Sequence, residues 1–322
     1  MTTTFQRLGR TLLRILPAVV FFPLMHSCFT GIESTPKISY KDVRREDAGI
    51  SAEEEYGRRF RTPAYRDWNS GDLFLVADSK ADMAYTPQRS GGMPARKNDL
   101  LRYCGTRSVP SIVGGTTAEL LFVRLPEATD TLIYRPGVSE ATLRDRESFH
   151  VPFLVNLQAV STADELLHGR YVYTRTTRWL DDDSREIDGR KFLKVRIDSV
   201  LPYDENYPYM VCFSSAENTP ERGALLMAPT PTDDTPALRG FATLFLLSDP
   251  RTDYPQITDE NWQLIRRGRV AEGMTQQEAR LALGAPKEVD RAHDRSFQYE
   301  RWGYSDGLFL IFEDGILTRL NR

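Results

Sequence analysis

The feature that most constrains this fold is a succession of short apolar segments between residues 70 and 230, separated by Gly, Pro, Asp and Asn. In one of them, Leu193, Val195 and Ile197 face one way while the two basic residues between them face the other. This period-two alternation is typical of a half-buried strand. Further strands are predicted at residues 73–76, 119–125, 131–134, 171–174 and 210–213. We therefore predict that residues 70–230 are all β, and short strands at this spacing indicate small barrels or sandwiches.

We predict that residues 65–227 contain one or two such β modules. A compositional echo between residues 71–76 and 168–173 favours two modules, at about 65–140 and 155–227, and one continuous sandwich is the alternative. Residues 228–240 carry three prolines among small polar residues, which predicts an extended linker. We expect a C-terminal module to follow over residues 241–322.

The C-terminal module is predicted to place two helices before an antiparallel sheet. Thr258 or Asp259 can cap the first helix, and Thr275 and Glu278 have capping-box spacing at the start of the second. Asp314-Gly315 is a type I′ hairpin signal between the last two strands. The strands of this module are predicted at residues 240–247, 297–304, 308–312 and 316–320. The predicted fold class is therefore multi-domain and mainly β, ending in an α+β module.

The N-terminal segment differs in composition from the rest of the chain. Three arginines within the first 14 residues precede an apolar stretch at 15–25, which Pro17 and Pro23 interrupt. This stretch is too short to span a bilayer as a helix. A positive flank and a short apolar core predict a secretory signal peptide over residues 1–27. A buried N-terminal helix is the alternative, although the prolines would break it.

The signal segment ends in Leu24-Met25-His26-Ser27-Cys28, which resembles the lipobox of bacterial lipoproteins, in the loosened form of the Bacteroidota. The resemblance implies cleavage before Cys28, acylation of Cys28 and a tether over residues 28–64. Several acyl chains on one cysteine would anchor the protein firmly. The implied location is a bacterial membrane, which we expect to be the outer membrane with the protein facing the periplasm. Exposure at the cell surface, or a cut elsewhere that leaves Cys28 unmodified, are the alternatives.

A second resemblance lies at the C-terminus. The segment Gly273-Met274-Thr275 with Glu278, then Leu283-Gly284-Ala285-Pro286, then Trp302-Gly303-Tyr304, resembles the SmpA/OmlA domain of outer-membrane lipoproteins. The family's small lipoproteins attach to the barrel-assembly machinery, and the fold is also similar to β-lactamase-inhibitor-like modules. The resemblance covers residues 258–322 and implies a module that docks onto an envelope protein.

Alternation along the strand at 297–304 separates two pairs of side chains. We expect Trp302 and Tyr304 to lie in the core, because they belong to the family-like motif. Tyr299 and Arg301 then lie on the opposite face and are the candidate partner-binding residues, since aromatic and Arg side chains are typical interface anchors.

The chain contains no pattern of known catalysis, cofactor binding or metal binding. GxSxG, HExxH, P-loop and GxGxxG motifs are absent, and His150, His168 and His293 have no metal-ligand partner at a suitable spacing. Residues 181–183 with Glu186 lack the EF-hand pattern and predict a solvated hairpin tip. A net charge of −3 argues against a nucleic-acid partner. Cys104 and Cys212 could be free thiols or a disulfide. We expect that the protein is not an enzyme and that it binds neither a cofactor nor a metal ion.

The leading expectation is a non-enzymatic cell-envelope lipoprotein that acts as a protein-interaction or assembly module in outer-membrane maintenance. One alternative is a glycan- or peptidoglycan-binding protein that exposes Trp179, Tyr203, Tyr207 and Tyr209. Another is an envelope hydrolase, which would need His150 or His168 beside a carboxylate in a cleft.

Overall fold

The structure, a computed structural model, describes residues 50–112, 114–126, 130–217, 220–230, 239–293 and 298–321. The residues from Ile50 onward belong to one compact unit. The predicted signal peptide, Cys28 and the tether up to residue 49 lie outside the described residues, as do linker residues 231–238.

Antiparallel sheets dominate the described part of the chain, which contains seventeen strands and seven short α-helices. The mainly β prediction is confirmed. Two of the three sheets are curled half-barrels, and the third has four strands. The helices are α1 Ala52–Gly57, α2 Ala81–Ala84, α3 Glu140–Arg144, α4 Leu157–Leu167, α5 Phe241–Leu244, α6 Asp259–Arg266 and α7 Gln276–Leu283.

The first sheet has six strands in the order β2-β5-β4-β3-β1-β6. Phe74, Leu101, Leu120 and Phe122 point from its strands into a core that α2 and α3 also reach, through Ala81 and Leu143. Its strands are β1 Leu73–Val76, β2 Tyr85–Pro87, β3 Leu100–Pro110, β4 Thr116–Leu125, β5 Thr131–Tyr134 and β6 Leu154–Asn156.

The second sheet has seven strands in the order β13-β7-β10-β11-β12-β8-β9. Val195 and Ile197 of β10 are fully buried, and the basic residues that alternate with them are exposed, as the period-two pattern predicts. Its strands are β7 Tyr171–Thr174, β8 Arg178–Leu180, β9 Glu186–Asp188, β10 Lys194–Pro202, β11 Tyr209–Ser215, β12 Arg222–Met227 and β13 Phe245–Leu246.

Two sequence predictions in this region are wrong. Residues 70–230 are not all β, because α4 lies between the first two sheets along the chain. Asn156 caps α4 by accepting from the backbone N–H of Gln158 at 2.9 Å, and Val160, Ala163 and Leu167 bury one face in the second core. Residues 240–247 form α5 and the two-residue β13 instead of one strand, since Phe241 and Leu244 both point into that same core.

The third sheet follows α6 and α7 and has the order β14-β15-β16-β17. Thr258 accepts from the N–H of Asn261 at 3.2 Å, and the capping box of Thr275 and Glu278 is formed, as predicted. The hairpin at Asp314-Gly315 has positive φ at both residues, 47° and 82°, which fits a type I′ turn. Its strands are β14 Glu288–His293, β15 Gln298–Gly303, β16 Phe309–Glu313 and β17 Ile316–Asn321.

Candidate functional site

The helix-facing side of the third sheet is a packed core around Trp302. This side chain is fully buried, as predicted, with its ring centroid 4.5 Å from that of Phe312. The guanidinium of Arg280 lies 4.6 Å from the Trp302 ring, and the indole N–H donates to Glu300 at 2.8 Å. Tyr304 is half-buried and its hydroxyl donates to the carbonyl of Gly284 at 3.3 Å. The motif residues here therefore hold the sheet to α7.

The opposite side of the third sheet, which we call the outer face, carries the candidate residues Tyr299 and Arg301. Both are partly exposed. Directly paired residues in antiparallel strands point to the same side of a sheet, so the strand register defines the membership of this face. The outer face consists of Glu288, Asp290 and Ala292 of β14, Tyr299, Arg301 and Gly303 of β15, Phe309, Ile311 and Glu313 of β16, and Ile316, Arg319 and Asn321 of β17.

Arg301 is held at the centre of the outer face by its neighbours. Its guanidinium lies 4.0 Å from the ring centroid of Phe309 and 3.4 Å from a carboxylate oxygen of Asp290. Its side chain nevertheless stays 42% exposed, so part of the charge remains available to a ligand. In the described residues, the ion pairs and ring contacts of the outer face all stay within the third sheet.

The contacts between the C-terminal elements and the loops next to β10 and β11 run through the helices. The rings of Phe192 and Trp262 stack at 5.4 Å with an interplanar angle of 18°. Arg266 of α6 is almost fully buried and pairs with Glu217 at 2.9 Å. The ammonium of Lys191 donates to the carbonyl of Ala282 at the end of α7, and burial lowers the pKa of Lys191 to about 8. The helices thus contact the loops beside the second sheet, and the outer face lies on the opposite side of the third sheet from these helices.

A second candidate position is a small cleft where the first two cores meet. The Nε2 atom of His150 lies 3.7 Å from a carboxylate oxygen of Glu205, and the His150 side chain is 50% exposed. The cavity beside them is only about 40 Å³ and is lined mainly by apolar side chains, among them Trp68, Phe149 and Tyr209. Sequence analysis could not find Glu205, because only the fold brings residues 150 and 205 together.

This cleft meets the geometric condition stated for a hydrolase, a histidine beside a carboxylate. The pair could move a proton, but the residues lining the cleft include no Ser or Cys, and their only aliphatic hydroxyl is that of Thr62. Glu205 also has a structural role, because it accepts the backbone N–H of Phe153, a residue with φ of +64°. His168, the other histidine considered, is exposed and follows α4.

Two of the four aromatic residues proposed for glycan binding are core residues. Trp179 and Tyr209 are 2% and 1% exposed, so the prediction that their rings face solvent is wrong. Trp179 packs edge-on to Phe213, and its N–H donates to the carbonyl of Thr176 at 2.9 Å. Tyr203 and Tyr207 are partly exposed.

The remaining candidate groups form no site in the described residues. Cys104 and Cys212 are free thiols and make no disulfide with each other. The acidic run at 181–183 forms the tip of the β8–β9 hairpin, as predicted, with Asp182 paired to Arg222 and Asp183 to Arg185. No group of three His, Cys, Asp or Glu side chains within these ranges could hold a metal ion.

Comparison of the chain with protein-family models, with curated proteins and with solved structures finds no match in any of the three. Among the helices of the described ranges, none has the length and the apolar character needed to cross a membrane.

Proposed function

We propose that this protein is a non-enzymatic lipoprotein of the bacterial cell envelope, anchored through lipid on Cys28, whose C-terminal module binds an envelope protein. We assign the anchor to the outer membrane, with the folded unit facing the periplasm. We also propose that the two half-barrels are separate modules, and that the α+β elements of residues 258–322 are a domain related to SmpA/OmlA.

The docking proposal rests on the outer face, whose side chains the described part of the chain leaves exposed or partly exposed. Most of the large apolar side chains of the third sheet point toward α6 and α7, yet Tyr299, Phe309 and Ile311 lie on the other side around a half-exposed Arg301. Aromatic and Arg side chains grouped in this way are the usual anchors of protein interfaces. Because the loops beside the second sheet contact the helices, a partner can approach the outer face without displacing these contacts.

The test is photocrosslinking in cells, with a photoreactive residue placed at Ile316 on the outer face. A discrete crosslinked protein is expected, and Tyr299→Ala with Arg301→Ala should abolish the adduct. A matched control pair, Tyr171→Ala with Arg222→Ala, removes an exposed aromatic and an exposed Arg from the second sheet and should leave the adduct unchanged. Equal amounts of the crosslinked adduct in the two double variants would show that the outer face is not the partner-binding surface.

A hydrolase centred on His150 and Glu205 is the second candidate, because this pair lies at a cleft. His150→Gln would abolish any such activity without affecting the crosslink at the outer face. The glycan-binding alternative has less support, because Trp179 and Tyr209, two of its four proposed binding residues, are buried in the core.

A further inference from the structure

The start of the folded unit carries a cluster of arginines around one buried tyrosine. Tyr56 of α1 is buried, and its hydroxyl donates to the carbonyl of Leu166 at 2.8 Å. The guanidinium carbons of Arg59 and Arg170 lie 5.1 and 5.2 Å from the centre of its ring. Arg58 and Arg61 lie on the same segment. We call the hollow lined by Glu55, Tyr56, Arg58, Arg59 and Arg61, with Ala52 and Leu247, the arginine pocket.

The carboxylates near the arginine pocket do not neutralise it. Glu53 accepts the backbone N–H of Leu247 at 3.0 Å, and Glu54 completes the capping box of α1 with Ser51. Glu55 pairs with Arg58 at 3.1 Å, but both side chains are largely exposed, and such pairs exchange readily with solvent or a ligand. The lining therefore has three arginines and a single carboxylate.

The other guanidinium groups are positioned but not neutralised. Arg61 donates through Nε to the carbonyl of Arg58 at 2.7 Å, and Arg170 donates through Nε to the carbonyl of Leu166 at 2.6 Å. Within the described part of the chain, Arg59, Arg61 and Arg170 form no ion pair with a carboxylate. Backbone and ring contacts that fix a guanidinium in this way leave its fork of N–H donors ready for phosphate oxygens.

We propose that the arginine pocket binds the phosphate of an anionic phospholipid headgroup in the membrane that carries the anchor. The hollow, about 470 Å³, has room for a headgroup phosphate. This inference rests on the proposed lipidation of Cys28. Ile50 follows Cys28 by 22 positions, so the tether spans at most about 75 Å. All of the pocket lining except Leu247 lies within the next 11 positions.

The proposed lipid tether would keep the arginine pocket close to the membrane. A site joined to the membrane by a short chain meets the lipid surface at a high effective concentration, so weak phosphate contacts suffice. An acyl anchor together with a basic patch is a common two-part membrane attachment. The lipid would hold the protein at the membrane, and the arginine pocket would orient the folded unit with α1 toward the surface.

The test uses residues 28–322 with Cys28→Ser, which carries no lipid and keeps all three cores, since these lie between residues 50 and 321. Flotation is measured with vesicles of phosphatidylcholine alone and with phosphatidylglycerol added. We expect binding to the anionic vesicles only. Each basic residue near an anionic surface contributes about fivefold in affinity, so Arg58→Gln, Arg59→Gln and Arg61→Gln together should weaken binding about a hundredfold.

The matched control replaces three exposed arginines elsewhere, Arg89→Gln, Arg102→Gln and Arg185→Gln, with the same change in net charge. It should bind within about twofold of the parent. The proposal is overturned if the two triple variants bind equally or if the parent does not bind to anionic vesicles. It is also overturned if millimolar inorganic phosphate displaces the protein from the vesicles, because that result would indicate a site for a free anion. Thermal unfolding confirms that each variant is folded. Because this protein carries no acyl group, the result is independent of whether Cys28 is lipidated in cells.

Discussion

On strand β15, replacement of the buried Trp302 by Ala should destabilise the protein far more than replacement of the partly exposed Tyr299 and Arg301. Trp302 is fully buried against Phe312 and Arg280. Trp302→Ala should therefore cost about 3–5 kcal/mol of unfolding free energy, as the loss of a buried aromatic ring does. Tyr299→Ala with Arg301→Ala should cost less than about 1 kcal/mol, because both residues are partly exposed. Urea unfolding of both variants measures the difference, and the reverse order of the two costs would mean that the faces are exchanged.

Lys191 predicts a pH dependence of stability. Burial lowers the pKa of Lys191 to about 8, from an ordinary value near 10.5. Between these values the unfolded chain binds more protons than the folded protein, so the unfolding free energy should rise with pH. Over pH 8 to 9.5, below the ionisation of the tyrosines, the rise due to this group should be about 1–2 kcal/mol.

Lys191→Met removes the titrating group and is the control for this effect. Urea unfolding at pH 7, 8, 9 and 9.5 should show a rise in the parent that the variant lacks. Parallel stability curves for the two proteins would show that the Lys191 ammonium is not desolvated at the end of α7.

At the scale of elements, the β8–β9 hairpin depends on close packing between a glycine and a tryptophan. A Cβ atom at Gly189 would lie 2.0 Å from the indole of Trp179, which is itself buried. Gly189→Ala should therefore displace the ring and destabilise the protein by more than about 2 kcal/mol. Gly240→Ala, where the added atom meets nothing within 4 Å, is the matched control and should be nearly neutral. Equal melting temperatures for the two variants would contradict this packing.

Elements with a local signal could be predicted from the sequence. The alternation of β10, the capping box of α7 and the Asp314-Gly315 turn each depend on residues within a few positions of one another, and each is present. The strand β14 was not predicted, because its sequence, EVDRAH, is charged and lies at the edge of the sheet, where polar side chains stay solvated. Tertiary packing overrode the strand pattern at residues 240–247.

The candidate sites were harder to predict, because they depend on contacts between distant parts of the chain. Alternation separated Arg301 from Trp302 correctly, since both lie on one strand. No local pattern could indicate that His150 meets Glu205, or that Arg170 approaches Tyr56, which is 114 positions away in sequence. For the same reason Trp179 was taken for a surface residue, because its burial depends on Phe213 and Gly189.

For the whole molecule, two surfaces have distinct proposed tasks. The arginine pocket lies at the start of the folded unit, next in sequence to the proposed anchor, and the outer face belongs to the last four strands of the described chain. Such an arrangement suits a protein that is fixed to a membrane at one end of its sequence and presents a docking surface at the other. The proposed membrane location of both surfaces depends on lipid at Cys28, so acylation of this residue is the central claim of the account.

The most direct test is metabolic labelling of cells with a clickable palmitate analogue, followed by membrane fractionation. The parent protein should carry the label and sediment with the membranes. Cys28→Ala should carry none and appear in the soluble fraction, or accumulate as the uncleaved precursor, while Cys104→Ala should behave as the parent does. A parent protein without label, or a Cys28→Ala variant that keeps it, would contradict the account.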